Sequence, residues 1–169
     1  MTASPPPAAQ KLFAYLDALA LPHTTHWHEA TFTVDQGRDL KATLPGAHSK
    51  NLFMTDKDGV IVLISAHADN QLRLNQLHKH IATRRLSFAS PELMQDVLGV
   101  APGSVTAFAL MNDTAHRVRF IADAALMAHD ILNFHPLINT GTTAIAREDF
   151  KTFVQTTGHQ LDVFDFSTL

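Results

Sequence analysis

The chain has no cysteine, a single tryptophan and a single tyrosine, and only 17% of its 169 residues are charged. Without cysteine it can have no disulfide framework, no thiolate zinc site and no cysteine nucleophile. The formal net charge is −3, so no chain-wide basic field is available to attract a polyanion. A nucleic-acid partner would therefore have to be bound by a local group of cations.

Long apolar segments are also missing. The strongly apolar run at residues 60–64 is far shorter than the ~20 residues that a membrane helix needs, and the proline-rich residues 1–7 do not resemble a signal peptide. Hydrophobic residues nevertheless make up 46% of the chain, which is enough for one sizeable core. We expect a cytoplasmic protein without a membrane partner, folded as a single domain over residues 1–169 with residues 1–7 flexible.

Hydrophobic spacing predicts several short helices. The clearest is marked at both ends, with Ser90 as its N-cap, Pro91 at its first position and Gly99 as its terminator. The other predicted helices are one through Leu12, Leu16 and Leu19 that stops at Pro22, a short one in residues 31–40, one beginning near Asn70, and one through Phe150 and Phe153 that ends at Gly158.

The strongest strand signal is a hairpin, in which the apolar runs 51–55 and 60–64 are joined by a short loop ending in Gly59. The second run is apolar at every position, so we expect both of its faces to be covered. Further strands are predicted at residues 23–28, 131–134 and 142–146, and as a pair at 106–111 and 117–121. This irregular mixture, without a repeat, favours an α+β fold with a mixed sheet.

Familiar catalytic signatures are absent: there is no phosphate-binding glycine loop, no G-x-S-x-G and no H-E-x-x-H. Eleven histidines raise the question of a metal site, and the best pairs are His26 with His28 and His78 with His80. Histidines two residues apart on a helix do not share a face, and no carboxylate completes either pair. We therefore predict no metal site and no organic cofactor.

A few polar residues occupy unusual places, although each has an ordinary explanation. Lys50 precedes the apolar hairpin, where a lysine is either a solvated strand end or a functional cation. Asn51 is either a turn residue or points to the opposite face of the strand. Pro136 restricts His135 to an extended conformation, at a strand end or in a site. Residues 99–104 form either a helix stop with a turn or a rigid loop that offers its backbone to a ligand.

Four segments together resemble the YbaK/prolyl-tRNA synthetase-associated editing family. They are G-A-H-S-K-N-L-F at 46–53, R-L-S-F-A-S at 85–90, L-G-V-A-P-G-S-V at 98–105 and F-H-P-L-I-N at 134–139. The resemblance extends over about residues 28–166. Within the family the chain is most similar to the freestanding alanyl-tRNA(Pro) deacylases.

The resemblance implies a single domain with a mixed, partly barrel-like sheet flanked by helices, and a pocket between the lysine strand, the glycine–proline loop and the histidine segment. Lys50 would be the family's essential lysine, and Gly99 and Pro102 would bracket its G-x-x-P loop. Asn51 and His135 would line the pocket. The remaining substrate-binding residues would be Val100, Ala101, Gly103 and Asn139.

The implied reaction is hydrolysis of a wrongly charged aminoacyl-tRNA, most specifically alanine on proline tRNA. Its partners would be the acceptor end of that tRNA and also prolyl-tRNA synthetase. The ester is already activated, so a positioned water with 2′-hydroxyl assistance can replace a covalent nucleophile. Proline would be excluded sterically. Two alternatives stay open: deacylation of cysteinyl-tRNA(Pro), and a non-catalytic nucleic-acid-binding module. A local phosphate track could be formed by Lys41, Lys50, Lys79, Arg84 and Arg85, although a solvated helix end is the commoner meaning of residues 79–85.

Overall fold

In the computed structural model, which describes residues 4–30 and 43–169, the apolar run after Gly59 lies at the centre of a mixed sheet. This strand, β3 (Ile61–His67), pairs antiparallel with β2 (Ala47–Thr55) on one edge and parallel with β5 (Val118–Asp123) on the other. Its first six residues are buried because both faces of the sheet are covered. The predicted hairpin with a fully covered second strand is confirmed.

Five more strands complete an eight-stranded sheet. They are β1 (His23–Trp27), β4 (Ser87–Phe88), β6 (Ile131–Phe134), β7 (Gly141–Ala146) and β8 (Asp162–Phe164). The strand order is β1-β7-β6-β2-β3-β5-β8, and the short β4 pairs with β2 beside this path. Parallel and antiparallel pairs occur in the same sheet, and helices pack around it. The predicted α+β fold is confirmed.

Five α-helices lie in the described part of the chain: α1 (Pro7–Ala18), α2 (Leu74–Ile81), α3 (Pro91–Leu98), α4 (Ala124–Met127) and α5 (Arg147–Thr156). Helix α3 begins and ends as predicted, because the Ser90 hydroxyl accepts from the Leu93 N–H at 3.1 Å and Gly99 adopts a φ of 68°. Helix α2 begins at Leu74, four residues later than expected. The helix predicted in residues 31–40 lies outside the described residues. None of these helices has the length and apolar character needed to cross a bilayer.

The strand predicted at residues 106–111 is wrong. A 3-10 helix (Ala107–Asn112) occupies this segment, capped by the Thr106 hydroxyl, which accepts from the Phe108 N–H. An apolar run without alternation cannot distinguish a strand from a buried helical turn, and Ala107 to Leu110 are all fully buried. Strand β5 therefore pairs with β3 and β8.

The sheet separates two apolar clusters. The larger one contains Phe53, Phe108 and Phe134, and the smaller one contains Met54 and Leu77. Phe53 and Met54 are neighbours on β2 and face different clusters, because successive strand residues point to opposite faces. The same alternation separates the side chains of other neighbours on β2.

A buried hydrogen-bonded pair, Asp113 with His159, holds the C-terminal part of the chain against the segment before β5. Asp113 and His159 are 3% and 6% exposed, and the His159 Nε2 lies 2.8 Å from the Asp113 carboxylate. The Thr157 hydroxyl lies within hydrogen-bond distance of the Val154 carbonyl and of the Nδ1 of His159. A carboxylate only accepts, so the Nε2 of His159 carries the hydrogen of the buried bond to Asp113.

We expect Asp113→Ala to lower the free energy of unfolding by about 3–5 kcal/mol, because it leaves the buried Nε2–H of His159 and the N–H groups of Arg117 and Val118 without their acceptor. Burial alone would raise the pKa of Asp113, but hydrogen bonds from His159, Arg117 and Val118 hold that pKa below its usual range. The unfolded state thus binds this proton more readily, and the stabilisation is present above the unfolded pKa of about 3.9 and is lost as pH falls below it.

Urea unfolding across pH 3–7 measures this difference. The matched control is Asp96→Ala, which removes an exposed ion pair with Arg117 and should cost no more than about 1 kcal/mol. Equal losses in the two variants would contradict the assignment of a stabilising buried pair.

Candidate active site

Along one edge, β2 is bordered by two different strands with an opening between them. Ala47 and His48 pair with β6, whereas Met54 and Thr55 pair with β4. The other edge of β2 is covered by β3 from Ser49 onwards. Among the described strands, none pairs with the middle of β2 on the first edge. The two segments that resemble the editing family's lysine and arginine–serine motifs thus border this opening.

The backbone of Asn51 faces this opening. In an antiparallel pair, alternate residues exchange backbone hydrogen bonds with the partner; here the His48 carbonyl accepts from Ala68 and the Asp56 N–H donates to Val60. Even-numbered residues of β2 therefore point their backbone groups at β3. Odd-numbered residues point to the other edge, as the bond from the Ala89 N–H to the Phe53 carbonyl shows. The N–H and C=O of Asn51 consequently point into the gap between β6 and β4.

A cavity of about 280 Å³ lies at this opening. Its described lining residues are Asn51, Leu52, Phe53, Phe88, Ala89, Pro91, Met94, Pro102 and Val105. Asn51 is the one polar side chain among them. The described lining thus contains no hydroxyl, imidazole or carboxylate that could act as a nucleophile.

The side chain of Asn51 is held in one orientation by two serines. Its amide nitrogen donates to the Ser49 hydroxyl at 3.1 Å, and its amide oxygen accepts from the Ser65 hydroxyl. Ser65 is fully buried, and Ser49 donates in turn to the Asn133 carbonyl of β6. Asn51 is therefore a fixed residue inside a strand, and its alternative interpretation as a turn residue does not hold.

Lys50 points its side chain to the face of β2 opposite Asn51, and it is not among the described residues that line the cavity. Its ammonium donates to the carbonyl of Asn70. The Asn70 amide donates to the Asp123 carboxylate at 2.6 Å, and the His67 N–H donates to the same oxygen at 3.0 Å. Asp123 is 1% exposed, so a buried carboxylate organises the loop that receives Lys50.

The G-x-x-P loop follows α3 and reaches the cavity through Pro102. Gly99 ends the helix in the left-handed region, with its N–H donating to the carbonyls of Met94 and Gln95 at 3.1 Å. Val100 is 3% exposed and belongs to the core. Gly99 and Val100 thus anchor the loop.

The exposed part of the loop contacts the histidine segment. Ala101 and Gly103 are exposed, and the Ser104 N–H closes a turn onto the Ala101 carbonyl at 2.9 Å. A Cβ added to Gly103 would lie 3.3 Å from the side-chain nitrogen of Asn139. The structure thereby brings the loop together with the segment that contains His135.

His135 follows β6 and is held through its Nδ1, which lies 2.9 Å from the carbonyl of Gly141. A carbonyl only accepts, so Nδ1 carries the hydrogen and Nε2 keeps its lone pair. Burial lowers the pKa of His135 and outweighs the opposing effect of the Gly141 bond; the neighbouring His28 lowers it further. The ring is therefore neutral at neutral pH.

Two features of the site could not be found by inspecting the sequence. Nothing in the sequence indicates that the N–H and C=O of Asn51 face an opening, because this depends on which strands pair with β2. The exposed Phe88 lies within the R-L-S-F-A-S segment, but nothing in that segment indicates that the ring borders the cavity. Within the described residues, no group of three or more His, Asp or Glu side chains could hold a metal ion.

The chain matches known proteins over most of its length. The model of the aminoacyl-tRNA editing domain matches residues 28–153. The prolyl-tRNA synthetase associated domain-containing protein 1 of Bos taurus is 37% identical over 157 residues, covering 89% of this chain and 91% of that protein. The prolyl-tRNA editing protein ProX of Acetoanaerobium sticklandii is 29% identical over 153 residues, covering 90% and 93%.

A solved structure described as a candidate trans-editing enzyme for prolyl-tRNA synthetase has the same fold. It superimposes with a TM-score of 0.72 at 19% identity, covering 96% of this chain and 98% of that one. The order of the motifs along the chain, the mixed sheet and the match of the family model lead to one conclusion: this chain belongs to the aminoacyl-tRNA editing domain family.

Proposed function

We propose that this protein is a trans-editing hydrolase that removes the amino acid from a mischarged tRNA, and that its substrate is Ala-tRNA(Pro). The observation that carries the proposal is the cavity beside β2, which has one polar side chain, Asn51, and no nucleophile among its described lining residues. An aminoacyl ester is an activated acyl donor, so such a site has sufficient chemistry if it positions water and stabilises the developing oxyanion.

The backbone at the opening of β2 supplies the electrostatic part of this mechanism. The Asn51 N–H points into the gap between β6 and β4, where it can donate to an oxygen of the substrate. A fixed backbone donor is worth more in an apolar cavity than in water, because the cavity excludes competing solvent. The exposed backbone of the loop from Ala101 to Gly103 contributes further polar groups on the other side of the cavity. The substrate's own 2′-hydroxyl assists the attacking water.

Lys50 binds a phosphate close to the 3′ end of the tRNA. Its ammonium is held by the Asn70 carbonyl, and a phosphate would offer it an anionic acceptor in exchange for a neutral one. The flexible four-carbon stem allows this movement. Because Asn70 is fixed by the buried Asp123, the resting position of the ammonium is defined before the substrate arrives.

In this proposal the protein selects alanine over proline by steric exclusion, because the wall of the cavity limits the size of the amino acid. A cavity of about 280 Å³ with phenylalanine, methionine and proline side chains in its wall has little room to expand, since close-packed apolar walls resist deformation. A larger ring is excluded more effectively than a smaller side chain can be rejected. The proposal places the amino acid beside the segment of His135, which is held by Gly141 next to the described lining of the cavity.

We expect Lys50→Ala to lower kcat/KM for Ala-tRNA(Pro) by about 100-fold or more, because the variant has no ammonium to form a charge-assisted hydrogen bond with the substrate. Release of radiolabelled alanine under single-turnover conditions measures the rate. Lys151→Ala is the matched control, since Lys151 pairs with Glu148 on the surface of α5, and it should behave as the wild type. Full activity of Lys50→Ala would overturn the assigned role of this lysine.

The same assay separates the two alternatives. Faster release from Cys-tRNA(Pro) than from Ala-tRNA(Pro) at equal concentration would make cysteine the substrate. Binding of uncharged tRNA without loss of ester from any charged tRNA would identify a non-catalytic module on this fold. The proposed editing function requires release of alanine with Pro-tRNA(Pro) spared.

We expect His135→Ala to reduce the preference for Ala-tRNA(Pro) over Pro-tRNA(Pro) by about tenfold or more, because the variant opens space in the segment beside the G-x-x-P loop, where the proposal places the amino acid. His80→Ala removes an exposed imidazole on α2 and serves as the control. Since the pKa of His135 is lowered, the wild-type preference should stay constant around neutral pH and change only below the usual histidine range of about 6.5.

A different result for His135→Ala would assign a catalytic role to His135. If His135→Ala loses about 10²–10⁴-fold in alanine release while the preference stays unchanged, His135 acts as a general base. The pH profile of the variant would then lack the acidic limb seen in the wild type.

A further inference from the structure

Phe88 is the most exposed of the large hydrophobic side chains in the described part of the chain, at 67%. It lies on β4 and forms part of the wall of the cavity beside β2, together with Asn51 and Pro102. A phenylalanine ring in water has an unfavourable hydration free energy, which burial against a ligand would relieve. The ring is thus available to a molecule that enters the cavity.

The backbone around Phe88 is fixed on both sides. Phe88 pairs with Met54 of β2, and the following residue, Ala89, donates its N–H to the Phe53 carbonyl at 2.9 Å. The next residue is Ser90, the cap of α3. The backbone that carries the ring is therefore fixed by a strand pair and a helix cap, so a ligand that packs on the ring has to order only the side chain.

A second cavity, of about 500 Å³, adjoins the preceding residue of β4, Ser87. Its wall includes Lys57, Arg84 and Arg85, which form a local basic group in a chain whose net charge is −3. Arg84 has an exposed ion pair with Asp58 at 3.2 Å. Within the described residues, Lys57 and Arg85 have no acidic partner, so their charges remain available to an anion.

We call this second cavity, with Lys57, Arg84 and Arg85 in its wall, the basic cavity. Its wall is held in place by hydrogen bonds and includes one polar atom without a hydrogen-bond partner among the described residues. The buried Asp56 accepts from the N–H groups of Arg84, Asp58 and Val60, which ties the hairpin turn containing Lys57 to the start of the arginine segment. The Nδ1 of His78 in the wall is buried and has no hydrogen-bond partner in the described structure. Buried polar atoms normally have a partner, and a bound anion would supply one if this nitrogen is protonated.

We propose that Phe88 is a stacking platform for the terminal nucleobase of the tRNA's single-stranded 3′ end, and that the basic cavity binds the phosphate backbone leading to it. An exposed aromatic ring next to a basic groove is the usual arrangement for binding single-stranded nucleic acid. The proposal rests on the proposed function, because the esterified ribose must enter the cavity that Phe88 borders. The base attached to that ribose then lies within reach of the ring.

The test measures binding of two uncharged ligands, the 5′-phosphorylated trinucleotide CCA and full-length proline tRNA, to the whole protein by titration calorimetry and fluorescence anisotropy. Phe88→Leu keeps an apolar side chain but removes the ring, and should weaken binding of both ligands by at least about fivefold. Phe88→Tyr keeps the ring and should bind within about twofold of the wild type. Val163→Ala changes another exposed apolar residue, on β8, and should have no effect.

Binding of the phosphate backbone by the basic cavity is tested separately, through the dependence of affinity on salt concentration. Replacing Lys57 and Arg85 together by alanine should reduce the slope of log K against log salt concentration by about 0.7 for each phosphate that the variant no longer neutralises. An unchanged slope would overturn the assignment of the basic cavity to the phosphate backbone. Phe88→Leu that binds CCA as tightly as the wild type does would overturn the stacking platform.

Failure of this inference and failure of the proposed function are distinguishable, since the ligands carry no ester. If ring-dependent binding is observed but no charged tRNA is hydrolysed, the platform stands and the editing function fails. If alanine is released normally while Phe88→Leu neither weakens binding nor raises KM, the editing function stands and the platform is overturned. Absence of any RNA binding by the wild type would also overturn the platform.

Discussion

A β-strand that leaves one partner before it meets the next has backbone groups without a sheet partner, and among the strands of residues 4–30 and 43–169 β2 does this at Asn51. Burying such groups without hydrogen bonds is costly, so the position must face either solvent or a ligand. β6 pairs with the start of β2 and β4 pairs with its end. The cavity and the direction of the Asn51 backbone follow from this change of partners along one edge, and Phe88 borders the same cavity.

The polar groups around the site are few, but each is fixed by a buried neighbour. Ser65 holds the Asn51 amide, Gly141 holds the His135 imidazole, and Asp123 holds Asn70, to which Lys50 donates. Asp123 also accepts from the Ala125 N–H at 3.0 Å and thereby caps α4. Such supporting bonds limit the reorganisation that a site must undergo during reaction. A site with little intrinsic reactivity would then be sufficient for the activated ester of the proposed substrate.

Local signals predicted much of the fold. Helix α3 follows from its serine cap and its terminal glycine, and the β2–β3 hairpin follows from two apolar runs with a glycine at the end of their loop. The hydrophobic pattern gave the wrong prediction at residues 106–111, because a fully buried apolar run has neither the period of a helix nor the alternation of a strand. Of the cations expected to contact phosphate, Arg84 and Arg85 line one cavity together with Lys57, because Asp56 ties the hairpin turn to Arg84, whereas Lys41 lies outside the described residues.

The sequence by itself determined the family resemblance, the capped helix, the central hairpin and the residues of the four motifs, because these depend on side chains close together in the chain. Only the tertiary structure decided that Asn51 lies at an open edge of the sheet between β6 and β4, and that Gly103 meets Asn139. It likewise decided that Phe88 borders the cavity with Pro102. These relations depend on which strands pair, as in the pairing of His48 with Asn133. Backbone hydrogen bonds between distant segments are nearly independent of side-chain identity, so the local sequence carries little record of them.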